Sequence, residues 1–212
     1  MEFLLSLGSL QVALALAAAS ALLLVIEERR LSLLPLLALY LLLGPLVGSQ
    51  TYRPVLFIRI GLGIAVCFIL YVTARHVQRD LHSLMSFPSN ESRIRSTPVA
   101  PALRAIGLAG MGLPFRLIVV ALGGLVAYSM WRAYPLAAVP MEMNLTGYWL
   151  VSIGVLLTLT SGDPLRMGFG VLTFVNGFGV IYVCLEQSMV VMSLLGVMHI
   201  LVALAVAACS ES

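Results

Sequence analysis

The chain has 212 residues; 61% are hydrophobic and only 10% are charged, 12 basic against 9 acidic. A water-soluble surface carries roughly a quarter to a third of its residues as charges, so the solvent implied here is a lipid bilayer. Every basic residue is Arg, and the lack of Lys excludes Schiff-base chemistry and a Lys-dependent phosphate loop.

Breaking the sequence at its charges and turn residues predicts seven apolar stretches, at 3–26, 31–48, 54–74, 115–134, 145–161, 168–186 and 188–209. Each is close to the roughly 17 to 25 residues that a helix needs to cross a hydrocarbon core. The runs are continuous and too long for barrel strands of about ten residues. The expected fold class is all-α, a polytopic membrane protein built as a bundle of about seven transmembrane helices. Its parts are a three-helix N-terminal part (1–75), a cytoplasmic loop (76–114) and a four-helix C-terminal part (115–212). No room remains for a separate soluble catalytic domain.

The first stretch ends in small residues, as a signal peptide does. It carries Glu2 and no early positive charge, however, so a retained first helix is expected. Orientation follows from the arginines. With the N-terminus outside, Arg29, Arg30, Arg75, Arg79, Arg93, Arg95, Arg104, Arg116 and Arg166 fall on the cytoplasmic side, and Arg53 and Arg132 outside. That split predicts an integral protein of the plasma (inner) membrane with a cytoplasmic C-terminus, and it explains the net charge of +3 without nucleic acid. Tyr128, Trp131, Tyr134, Tyr148, Trp149 and Tyr182 are then expected in an aromatic belt at the outer interface.

In the connection 76–114, Val77, Leu81, Leu84 and Met85 share one helical face, which predicts an interfacial helix. The segment 87–98 reads as a turn region, and 100–112 as a short apolar piece that is either interfacial or a contact for another subunit.

Four polar residues in or beside the spans are candidates for a proton relay or polar core. Arg59 is the only full charge well inside a span; intramembrane ions mark functions, and the competing reading is a side chain that snorkels from the outer end of its helix. Glu186 stands at the turn between the last two spans, needing no special role there, but becomes a buried carboxylate if those helices are shifted by one turn. His199, in mid-span, either relays a proton or hydrogen-bonds a neighbouring helix. Asn176, midway along the sixth span, is expected to bind helices together. Cys67, Cys184 and Cys209 are far apart in apolar runs and read as small core residues. Gly61, Gly63, Gly123, Gly124, Gly168, Gly170, Gly177 and Gly179 predict close helix contacts.

Enzyme patterns fail. Leu159-Thr160-Ser161-Gly162 lacks the first Gly of an intramembrane serine protease string, no H-E-x-x-H occurs, and His199 is the single His within a span. No catalytic residue, metal site or cofactor is expected.

From position 161 the sequence runs Ser161-Gly162-Asp163-Pro164-Leu165-Arg166-Met167-Gly168-Phe169-Gly170, continues to Asn176-Gly177-Phe178-Gly179, and later gives Leu194-Leu195-Gly196-Val197-Met198-His199. This resembles the C-terminal part of the E subunit of formate-hydrogenlyase-type membrane hydrogenases, itself similar to the K subunit of respiratory complex I and the C subunit of multi-subunit cation/proton antiporters. The resemblance implies a non-catalytic accessory subunit of a proton- or cation-translocating energy-converting complex, partnered by the lipid bilayer and by larger antiporter-like membrane subunits. Those proteins carry glutamates in their last two helices. Here Val175 precedes Asn176-Gly177, and Leu194-Leu195-Gly196 has no acid, which leaves Glu186 and His199 as the titratable groups and makes a structural role the expectation. The alternatives are a self-sufficient small-solute transporter and a membrane anchoring or assembly factor working through the loop 76–114.

Overall fold

In lipid the backbone must satisfy its own hydrogen bonds, which a continuous apolar helix does. The computed structural model describes residues 2–26, 31–48, 59–73, 75, 112–185 and 188–211, and among them every regular element is a helix. The described helices are α1 (Glu2–Val25), α2 (Leu33–Gly48), α3 (Arg59–Thr73), α4 (Leu113–Ala133), α5 (Met141–Thr160), α6 (Pro164–Leu185) and α7 (Met189–Glu211). Helices α4 to α7 are long and apolar enough to cross a membrane, while the described apolar segments of α1 to α3 are shorter. The interfacial helix and short apolar piece expected within 76–111 lie outside the described residues.

Within the described residues the predicted stretches match these helices to within one or two residues, apart from two starts; positions 54–58 and 74 of the third stretch lie outside the described residues. Helices α5 and α6 begin at Met141 and Pro164, four residues before the expected 145 and 168. Charges within a first turn, Glu142 and Arg166, do not end a helix. The proline signal does: Pro140 precedes α5 and its carbonyl accepts from Asn144 N at 2.9 Å. Pro164 opens α6, where a missing N–H costs nothing.

The closest pair in the bundle is α5 against α6, running antiparallel. A Cβ on Gly154 would lie 2.5 Å from Phe174 N and 2.8 Å from Gly170 O, and one on Gly177 would lie 2.7 Å from Val151 N and 2.9 Å from Gly147 O. Only glycine at these positions lets the two backbones touch. Gly147 and Gly154 on one helix, and Gly170 and Gly177 on the other, are each seven residues apart, which keeps the contact on one face along both helices.

One apolar cluster draws on all seven of these helices, including Leu23, Leu36, Val66, Val119, Leu157, Phe169 and Ala203. A second fills the other half of the bundle with Leu16, Leu43, Leu150 and Val180 from α1, α2, α5 and α6. Beside that second cluster, α3 and α7 flank a cavity, and Met192 of α7 packs against the cluster.

At the end of the bundle where α1 stops, two arginines hold its last turn. Arg116 donates from Nη1 to Val25 O at 2.7 Å, and Arg166 donates from Nη2 to Ile26 O at 3.1 Å and Leu24 O at 3.3 Å. Among the described residues these carbonyls have no helical partners, and they sit at the negative end of the helix dipole. At the turn joining α4 to α5, Tyr148 Oη donates to Tyr134 O at 3.0 Å and the Tyr128 and Trp131 rings lie 5.7 Å apart.

Three expectations need correction. Gly61 makes no close helix contact, since a Cβ there would meet nothing within 4 Å among the described residues. Trp149 is no belt residue: its ring packs over Gly124, and Nε1 donates to Ser20 Oγ of α1 at 2.8 Å. Cys209 is exposed on α7 and not a core residue, whereas Cys67 and Cys184 are half-buried.

The glycine contact gives a direct prediction. Gly154→Ala should lower stability in a denaturing-detergent titration by about 1–3 kcal/mol, because the methyl group meets backbone that cannot rotate aside. Gly61→Ala, with nothing within 4 Å of its Cβ, should change it by less than about 0.5 kcal/mol. Equal effects would contradict the contact.

Candidate functional site

Many hydroxyls in the bundle close on their own helix. Thr73, Thr146, Thr158, Thr160 and Thr173 each donate to the carbonyl four residues back, at 2.6–3.0 Å. This local bond removes them from interhelical chemistry. A single bond of that kind leaves further polar atoms of Asn, His or Arg unmet, and Arg59, Tyr40, Asn176 and His199 meet in one place.

His199 faces inward from the middle of α7, 4% exposed. Its Nδ1 lies 2.7 Å from Leu195 O, and its Nε2 lies 3.2 Å from Asn176 Oδ1 on α6. A carbonyl only accepts, so Nδ1 carries the hydrogen. Tyr40, at the centre of α2, sets its ring edge-on to the imidazole with centroids 5.9 Å apart, and its phenol lies against the Asn176 amide. Tyr40 and Asn176 are each 1% exposed.

Donor counting restricts this cluster to two arrangements. With the amide oxygen towards His199, Nε2 must be protonated as well, giving a charged ring, and Tyr40 Oη and Asn176 Nδ2 are left without well-aligned partners among the described residues. With a neutral ring, Nε2 is an acceptor, so the amide is turned: Nδ2 donates to Nε2, and Oδ1 moves to the Tyr40 side. One proton and one amide rotation separate the two. Asn176 cannot pass a proton without turning, so it acts as the pivot between the phenol and the imidazole.

Arg59 opens the described part of α3, at the end of the bundle where α2 and α6 finish and α7 begins. Its guanidinium reaches α6, where a Cβ on Gly179 would lie 3.3 Å from Nη2. Arg59, Tyr40, Asn176, His199 and Ser193 all line a cavity of about 250 Å³ between α2, α3, α6 and α7. The remaining wall is aliphatic, with Leu62, Val183, Met192 and Ile200, and two glycines, Gly179 and Gly196, leave it open.

Of the sequence candidates, the structure brings Arg59, Asn176 and His199 together. Glu186 lies outside the described residues. Tyr40 was missed; its signal is a tyrosine at mid-span in an otherwise aliphatic helix, where an aromatic belt has no use for it. Among the described residues no group of three His, Cys, Asp or Glu side chains could hold a metal ion. The chemistry that the cluster offers is proton exchange and binding of a polar group in a low-dielectric setting.

Asn176→Leu should orphan the His199 and Tyr40 polar atoms and cost about 1–3 kcal/mol of stability. In a double-mutant cycle with His199→Phe the coupling should be roughly 0.5–1.7 kcal/mol, the range for hydrogen bonds between membrane helices. A coupling of zero would contradict the bond.

Compared with known proteins, the chain matches no family model, and no curated protein or solved structure is significantly similar to it.

Proposed function

We propose that this chain is an accessory integral-membrane subunit of a proton- or cation-translocating energy-converting complex, of the complex I, membrane hydrogenase or antiporter kind. It sits in the plasma (inner) membrane with its N-terminus outside. The observation that carries this reading is the buried series Tyr40, Asn176 and His199, each near the middle of its helix, with Arg59 beside them on the same cavity. Polar and ionisable groups inside a membrane are expensive and mark ion or proton paths. The series is short, with the amide as its pivot, which suits a proton step shared with neighbouring subunits more than a complete channel. Exposed aliphatic faces, with Leu117, Ile118 and Leu122 on α4 and Leu194 and Leu201 on α7, suit packing against larger membrane subunits as well as lipid.

The cavity lends weight to a second reading, a self-sufficient small-solute transporter, since such a protein needs a polar pocket at mid-membrane depth. The two separate on purification. A tagged chain taken up in mild detergent should copurify with larger membrane proteins; recovery as a stable, monodisperse single species would count against the subunit reading. In the reconstituted assembly His199→Leu should reduce proton flux at least about tenfold, the equivalent of roughly 1.4 kcal/mol on the barrier. Unchanged flux would remove the proton step and leave a scaffold.

A further inference from the structure

The geometry points to the cavity between α2, α3, α6 and α7 as a binding site for a carboxylate on an apolar body, with its oxygens on the Arg59 guanidinium and its body against Leu62, Val183 and Met192. An apolar cavity of roughly 150 Å³ already takes benzene, so about 250 Å³ holds one ring, or a short chain, together with a carboxylate. The lining divides in the same way. Arg59, Tyr40, Asn176 and His199 supply the polar side, and aliphatic side chains supply the rest.

Water alone fits this lining poorly. Each buried water needs two to four polar partners, and the aliphatic wall offers none. A small inorganic ion would satisfy Arg59 and leave that wall unfilled. An amphiphilic anion meets both. The guanidinium fork matches the two oxygens of a carboxylate, and a guest of opposite charge offsets the cost of holding a cation at this depth. With the amide oxygen towards His199, Tyr40 Oη, 1% exposed as a residue, has no well-aligned partner among the described residues and adds a donor on the same side. Two glycines keep the room open. A side chain at Gly179 would press on the guanidinium, whereas a Cβ at Gly196 meets nothing closer than Leu62 at 3.8 Å, so a longer side chain there would extend into the cavity.

The guest reaches the site either from water, as a small carboxylate, or from the bilayer, as a fatty acid. The chemistry recognised is the same. Binding uses the cluster assigned above to a proton step but requires neither partner subunits nor flux, so titration and flux measurements can fail independently.

The test uses the tagged full-length chain, with whatever membrane proteins accompany it, in phosphatidylcholine nanodiscs. 4-Fluorobenzoate is titrated and followed by fluorine NMR. Saturable binding is expected, with 4-fluorobenzamide, the neutral analogue, at least about tenfold weaker. Arg59→Gln should weaken fluorobenzoate by a similar factor. Gly196→Leu should abolish binding while leaving the helical signal and the melting profile in place, which covers the case that the arginine variant does not fold. Displacement by decanoate at lower concentration than by benzoate assigns the guest to the bilayer, and the reverse order to water. Absence of saturable binding, or binding indifferent to both substitutions, would overturn the site.

Discussion

A helix in lipid satisfies its own backbone but not its polar side chains, and each of those needs a partner within the protein. The bundle meets this constraint in three ways. Threonines return to the preceding turn of their own helix. Arg116 and Arg166 donate to carbonyls at the end of α1. Trp149, Asn176 and His199 reach across to another helix, and these crossings tie α5 to α1 and α6 to α7. The candidate site is the last of these solutions carried one residue further, to Tyr40 and Arg59, with a cavity at its side.

The α5–α6 contact determines which way the site faces. Gly177 lies against the backbone of α5, and Asn176 precedes it by one residue, a rotation of about 100° on a helix. With Gly177 and Gly170 against α5, Asn176 is therefore directed at α7 and α2. The rotational setting of α6 depends on glycines, and the position of the amide depends on that setting. A bulkier residue at Gly154 or Gly177 would disturb the polar cluster without touching it.

The spans were legible in the sequence because twenty-residue apolar runs have few other structural uses. Their starts at α5 and α6 were less so, since the charges of Glu142 and Arg166 suggested boundaries that Pro140 and Pro164 in fact set. Asn176 and His199 stood out as polar residues in mid-span, but nothing in their spacing said that they meet each other, because that depends on how α6 and α7 rotate. Tyr40 and Trp149 were obscured by the usual place of aromatic residues at the membrane surface; Trp149 follows Tyr148, which bonds at the α4–α5 turn, by one residue and so turns towards α1 instead. Gly147 and Gly154 escaped notice because their seven-residue spacing becomes informative only beside the matching pair on α6.

The most direct measurement is nitrogen-15 solid-state NMR of the His199 ring in lipid bilayers, assigned by comparison with a chain lacking that imidazole. The predicted result is a protonated Nδ1 and a bare Nε2 close in space to the Asn176 amide protons. A bare Nδ1 with a protonated Nε2, or an Nε2 with no proximity to Asn176, would contradict it.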